Sequence, residues 1–144
     1  MATYKKTNIL NPSDAAYIAG LIDGEGSISL SHKHRSENRQ LVVSISNNEK
    51  PLLEFVLNKV GAGHITNKRV YSEHHAPSAT YKITNRQALD LLEQIKPFLQ
   101  SYKRERARLI LNDYLRLTPR NGKYTQQQVE EREIFIKSFF EIQP

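Results

Sequence analysis

Apolar and polar positions change period several times along this chain, and each change marks an element. The run Ala15-Ala16-Tyr17-Ile18-Ala19-Gly20-Leu21-Ile22-Asp23 is apolar or small on nearly every side of an α-helix. Asn11 caps such a helix, Pro12 suits its first position and Asp14 complements its positive end. Gly24 and Gly26 end it, which places the helix at about residues 13–24. Ser27-Ile28-Ser29-Leu30-Ser31 then alternates as a half-buried strand does. After a polar turn around Ser36-Glu37-Asn38, a second strand, Gln40-Leu41-Val42-Val43-Ser44-Ile45-Ser46-Asn47, completes a hairpin.

Helical spacing returns at Leu52, Leu53, Phe55, Val56, Leu57 and Val60, and Gly61 and Gly63 stop it. Residues 64–71 and 80–84 read as two more strands, with Pro77 in the loop between them. Residues 86–95 form an amphipathic helix halted near Pro97. Two final helices, 104–117 and 126–140, flank Thr118-Pro119-Arg120-Asn121-Gly122. The order is α-β-β-α-β-β-α with all strands within about 27–84, followed by C-terminal helices within about 101–142. With no repeat of the first motif and no linker, residues 1–144 read as one α+β domain built on a twisted four-stranded antiparallel sheet.

Composition narrows the chemistry. The chain has 144 residues, 38% of them hydrophobic, enough for a core without crosslinks. Cysteine is absent, which removes disulfides, thiol nucleophiles and Cys-type zinc sites together. No apolar run approaches the ~20 residues of a bilayer span, and residues 1–8 lack the apolar centre of a signal peptide. The expected location is therefore intracellular, in a prokaryotic cytoplasm or an organelle matrix or stroma, and neither secreted nor membrane-bound. Lys and Arg total 21 against 15 acids, a net charge of +6, which favours a polyanionic partner. The charge is polarised: Lys103, Arg104, Arg106, Arg108, Arg116, Arg120 and Lys123 face only Glu105 and Asp113, whereas the chain from Gln126 onward is acidic. His32, His34, His74 and His75 are too few in either place for zinc and fit DNA contact or solvation better.

Ile18-Ala19-Gly20-Leu21-Ile22-Asp23-Gly24-Glu25-Gly26 resembles the LAGLIDADG signature of homing endonucleases, in their single-motif, homodimeric form. It departs by Ile for the first Leu, Gly for the second Ala and Glu for the last Asp, so the terminal carboxylate is kept. The αββαββα order extends the resemblance over nearly the whole chain. On the helix, Ala16, Ala19, Gly20 and Asp23 share a small-residue face, while Ile18, Leu21 and Ile22 lie toward another. Small residues let a second helix approach closely, and only one such helix exists per chain, so the partner is a second copy around a twofold axis. Two Glu25 carboxylates then converge near that axis, where hard oxygens suit Mg²⁺. Asp23, at the helix end, fits structural hydrogen bonds better than a direct metal role.

The resemblance implies that Glu25 is the metal ligand, assisted by the Gly24 carbonyl. It implies Mg²⁺ as cofactor, with Mn²⁺ as a substitute and Ca²⁺ supporting binding. It also places Lys103 near the scissile phosphate, where a cation offsets developing charge, and Asn47 as an orienter of active-site water. For Lys103 a plain phosphate anchor or a solvated charge is the second reading, slightly behind catalytic assistance; for Asn47, capping of the next helix is an equal alternative. The sheet should lie along the major groove of double-stranded DNA, with Ile28, Leu30, Leu41, Val43 and Ile45 inward. Ser29, Ser31, Lys33, Arg35, Gln40, Val42 and Ser44 would face the DNA, joined by Thr66, Lys68, Thr80 and Lys82 from the second hairpin. The implied activity is metal-dependent cleavage of both strands of a long near-palindromic site, leaving 3′ overhangs, as expected of an intron-encoded enzyme. RNA as a partner of a splicing maturase, and a catalytically silent DNA-binding regulator, are the two rival readings.

Overall fold

The computed structural model describes residues 4–32, 39–67, 77–119 and 123–144. Helix α1 (Pro12–Glu25) opens as its sequence predicts: Asn11 Oδ1 accepts the Asp14 N–H at 2.8 Å, Pro12 needs no donor partner, and Asp14 lies in the first turn. It ends later than expected. Gly24 and Glu25 both belong to the helix, because the ~1 kcal/mol that a helical glycine costs is too small to break a helix held by packing. Gly26 is the cap, extended at φ −106°, and its N–H bonds the Ile22 carbonyl. A Cβ at Gly26 would lie 2.8 Å from Ile22 Cα and 2.9 Å from Ser44 O. Close approach of two backbones, and not dihedral freedom, therefore demands this glycine.

Strands β1 (Gly26–Ser31) and β2 (Gln40–Asn47) form the first hairpin, and β3 (His64–Asn67) and β4 (Ala79–Thr84) the second. All pairings are antiparallel, in the order β1-β2-β4-β3, so the two hairpins join through β2 and β4. One face of this sheet carries Ile28, Leu30, Leu41, Val43, Ile45, Tyr81 and Ile83, each at most 1% exposed. Against it pack α1, α2 (Lys50–Val60) and α3 (Asn85–Ile95), through Ile18, Ile22, Val56, Leu91 and Leu92 among others. Each such fully buried aliphatic side chain contributes roughly 1.5–3 kcal/mol relative to exposure. Gly61, left-handed at φ 72°, closes α2 by donating its N–H to Leu57 O at 2.8 Å.

A 3-10 turn (Lys96–Phe98) leads to α4 (Lys103–Asp113), which stops short of the expected Leu117. The chain continues in turns that bury Tyr114 and Leu117 against the core. α5 (Gln126–Glu141) starts at a capping box, in which Thr125 Oγ1 accepts the Gln128 N–H at 3.1 Å and Gln128 Oε1 accepts the Thr125 N–H at 3.0 Å. Phe135 and Phe139 pack it onto α4 and the core. Among the described residues, no helix is long and apolar enough to cross a membrane.

Candidate metal and nucleic-acid site

Glu25 is the last residue of α1 and is exposed. The end of β2 lies beside it, because Gly26 starts β1 in register with Ile45. There the Asn47 amide nitrogen donates to the Glu25 carboxylate, while Asn47 Oδ1 accepts the Glu49 N–H at 2.7 Å. One end of the Asn47 amide orders the entry to α2, as the capping reading expects, and the other holds Glu25.

Asp23 faces its own protomer. Its carboxylate accepts the Gln100 N–H (2.7 Å), the Ser101 N–H (3.1 Å) and the Ser101 hydroxyl (2.5 Å). Burial pushes its pKa up, but these bonds and the nearby Lys103 charge outweigh it, leaving the carboxyl below its ordinary value. Expected on the dimer face, Asp23 is instead spent on the loop before α4. Ala19 is a second correction: it is 0% exposed and faces the domain core with Ala15, Ile18 and Ile22. The face that α1 leaves open carries Ala16, Gly20 and Gly24, one turn apart. A Cβ at Gly20 or Gly24 would meet nothing within 4 Å. Nothing among the described residues accounts for glycine at either place.

Lys103 is 7% exposed, and its ammonium donates to Ile22 O (2.8 Å) and Asp23 O (2.9 Å). These carbonyls belong to the last turn of α1, where the helix supplies few partners of its own. Burial pushes the lysine pKa down, opposed by Asp23 and reinforced by Arg106. In the protein alone, Lys103 caps the helix that carries Glu25, bonding a carbonyl two residues before that carboxylate, and is not a cation presented to solvent.

The outer face of the sheet is polar in every row. Residues directly opposed across antiparallel strands share a face, so the rows are Ser31–Gln40, Ser29–Val42–Thr84, Ser27–Ser44–Lys82–His64 and Ser46–Thr80–Thr66. Ser29, Ser31, Gln40, Ser44, Thr66, Thr80 and Lys82 stand where expected. Val42 is on this face but only 7% exposed, flanked in its own row by Ser29 and Thr84. Lys33, Arg35 and Lys68 lie outside the described residues. Ser27, Ser46, His64 and Thr84 were missed, although carrying the alternation one step further along each strand finds them. Hydroxyl pairs Ser27–Ser44 (2.9 Å) and Ser46–Thr80 (2.7 Å) tie neighbouring strands on this surface.

The basic segment of α4 is largely consumed within the protein. Arg106 turns inward to Ile28 O (3.0 Å) and Ile142 O (2.9 Å) and lies over the rings of Tyr102 and Phe139. Arg108 pairs with Glu105 at 2.6 Å, and Arg116 with Glu131 (2.6 Å) and Asp113 (3.0 Å). Among the described residues, no three His, Cys, Asp or Glu side chains cluster to hold a metal. Glu25 offers a hard-oxygen donor set that fits Mg²⁺ chemically, but one carboxylate per protomer is too few to enclose the ion.

These features define an α+β protein with a polar sheet surface and an acid at the end of its first helix, beside an open small-residue face. Residues 18–118, well over half of the chain, match the LAGLIDADG endonuclease family, and the chain belongs to it. Its fold is similar to that of the homing endonuclease I-CvuI in complex with its target in the presence of 2 mM Ca (TM-score 0.72, 17% identity, 92% of this chain and 85% of that one). The archaeal intron-encoded homing endonuclease I-Vdi141I, complexed with DNA, is similar at TM-score 0.60 and 20% identity over the same shares, 92% and 85%. The LAGLIDADG meganuclease I-AabMI bound to uncleaved DNA matches at TM-score 0.64 and 22% identity, over 86% of this chain but 44% of that one. No curated protein matches the sequence.

Proposed function

We propose that this protein is a site-specific double-strand DNA endonuclease that acts as a homodimer. Its α1 helices would pair through Ala16, Gly20 and Gly24, and its sheets would each read half of a near-palindromic site. The observation that carries this reading is the position of Glu25: an exposed carboxylate, held by Asn47, at the end of the small-residue face that α1 leaves bare. Twofold pairing through that face brings two Glu25 carboxylates together and supplies the second acid that one protomer lacks. Support also comes from similar proteins solved on DNA, I-CvuI among them with 2 mM Ca in one case and 2 mM Mg in another.

A divalent ion bound there, Mg²⁺ or Mn²⁺, would polarise a phosphate oxygen and ease loss of a proton from the attacking water. Glu25 and the Gly24 carbonyl would hold it. Asn47 keeps the Glu25 carboxylate turned toward the axis, and Lys103 keeps the final turn of α1 from fraying. Serine, threonine, glutamine and lysine side chains on the outer sheet would supply base-edge and phosphate contacts in the major groove. Each strand would be cut across the centre of the site, leaving 3′ overhangs.

The test is selection from randomised duplexes in Ca²⁺, followed by exposure to Mg²⁺. Enriched near-palindromes cut centrally in Mg²⁺, with cutting abolished by EDTA and by Glu25→Gln while binding persists, is the expected result. Enrichment without metal-dependent cutting would leave a DNA-binding regulator. Enrichment of structured RNA alone would replace the endonuclease by a maturase.

A further inference from the structure

Tyr114, just beyond α4, is 2% exposed and carries a phenol that the proposed cleavage chemistry does not use. Its oxygen accepts the Leu41 N–H at 3.1 Å, and its hydroxyl donates to Asn85 Oδ1 at 2.9 Å. Asn85 Nδ2 then donates to Gln40 Oε1 at 3.0 Å. The chain therefore runs from the buried phenol through Asn85 to an amide on the outer face of the sheet.

The direction of these bonds is determined by a group that cannot accept. A backbone N–H only donates. The phenol oxygen accepts from the Leu41 N–H, and its hydrogen goes to the Asn85 side-chain oxygen. Burial pushes the Tyr114 pKa above its ordinary value, so the hydrogen stays in place at neutral pH. Asn85 is thereby fixed with its nitrogen toward Gln40. Its backbone supports the same arrangement: at φ 52° it is the one non-glycine among the described residues in the left-handed region, which asparagine tolerates better than most. Gln40 receives this bond on its oxygen, and its amide nitrogen is the end left over. Opposite Ser31, on the face away from buried Leu41, Gln40 belongs to the last row of the β1–β2 surface.

We propose that Gln40 is a specificity-determining residue, held nitrogen-outward by Asn85 and Tyr114, and that it selects guanine over adenine at one position of each half-site. This rests on the reading of the sheet as a DNA-binding surface. An unconstrained glutamine pairs with adenine by donating to N7 and accepting from N6, whereas guanine shows two acceptors, N7 and O6, in the major groove. Gln40 presents donors, with its oxygen turned back to Asn85. Asn85 and Tyr114 act through Gln40 and are positioning residues.

Asn85→Asp tests this directly. An aspartate cannot donate, so it accepts the Tyr114 hydrogen on one oxygen and the Gln40 NH₂ on the other, turning the Gln40 oxygen outward. Duplexes bound in Ca²⁺ by the wild-type protein should favour guanine over adenine about tenfold at one position per half-site, with Gln40→Ala erasing that preference. Asn85→Asp should move it to adenine or cytosine, whose exocyclic amino groups donate. Tyr114→Phe removes a single hydroxyl and should bring guanine and adenine to near parity, which keeps the test available if Asn85→Asp folds poorly. Side-chain amide resonances of the DNA-free protein provide a second readout: the Gln40 NH₂ should be solvent-exchanging in the wild type and protected in Asn85→Asp. Unchanged base preference in Asn85→Asp and Tyr114→Phe, or a preference that survives Gln40→Ala, overturns the proposal. If the wild type enriches no duplex, the endonuclease reading falls, and the amide resonances still decide the polarity of Gln40.

Discussion

The Asn47 amide donates to the Glu25 carboxylate across the junction of α1, β1 and β2, joining two residues 22 positions apart in sequence. Neither side chain is deeply buried, so this bond acts less on stability than on where the carboxylate points. Asn47→Ala should leave DNA binding in Ca²⁺ unchanged. The Mg²⁺ concentration for half-maximal cleavage should rise about 10–100-fold, the usual effect of losing a partner behind a metal ligand. An unaltered metal titration would mean that Asn47 only orders the entry to α2.

Asp23 should govern part of the acid limb of stability. Its folded pKa lies below the ordinary 3.8, so its contribution is fully present above the unfolded value and is lost as pH falls through the depressed folded one. Asp23→Asn should cost about 2 kcal/mol at neutral pH, since it replaces a charged acceptor of several hydrogen bonds. It should also flatten stability against pH below about 4 relative to the wild type. Parallel curves for the two proteins in urea unfolding at several pH values would remove Asp23 from this role.

Gly20 and Gly24 separate pairing from folding. Because a Cβ at Gly20 meets nothing within 4 Å and the position is exposed, Gly20→Leu should not lower the unfolding midpoint of the isolated chain. Helix propensity alone favours it by up to ~1 kcal/mol. Light scattering should nevertheless show a monomer, and cleavage should disappear. A dimer that persists in Gly20→Leu would place the partner helix elsewhere.

Gly26 behaves in the opposite way. A methyl group there would press on Ile22 Cα at 2.8 Å and Ser44 O at 2.9 Å, both backbone atoms. Gly26→Ala should therefore destabilise by roughly 1–3 kcal/mol, as overpacking does. The effect should appear in denaturant unfolding of the protomer. A midpoint equal to that of the wild type would show that the α1–β2 contact can relax.

Salt dependence should distinguish the sheet from the turn after α4. Lys82→Ala removes an exposed cation from the reading face, and the slope of log affinity against log salt should fall by about 0.9 if it meets one phosphate. Arg116→Ala should leave that slope unchanged, because Arg116 is engaged by Asp113 and Glu131. Equal effects from both would spread the DNA footprint onto the C-terminal helices.

Much of this architecture was legible in local pattern. Strand alternation through Ile28, Leu30, Leu41, Val43 and Ile45 identified the inner face of the sheet correctly, since a period of two leaves only one choice of face. Asn11, Gly61 and the polar outer rows were equally readable. Position on a face is not exposure, however, and Val42 shows it: alternation sets its side, but the surrounding side chains set its burial. A helix wheel could divide α1 into a bulky and a small face. It could not say that the core would claim Ala19, or that the loop at Gln100 and Ser101 would claim Asp23, since those partners lie far away in sequence.

What the sequence determined by itself were the features carried by neighbours along the chain: the LAGLIDADG-like helix ending in Gly-Glu-Gly, the αββαββα order, and the excess of cations. Only the tertiary structure decided how distant groups divide their bonds. It spent Lys103 on the end of α1 and turned Arg106 and Arg132 inward. It also brought Asn47 to Glu25, and ran a directed chain from Tyr114 through Asn85 to Gln40. The physical reason is that a charged or amide side chain bonds whatever donor or acceptor the folded chain brings within about 3 Å. Sequence spacing carries no record of that distance.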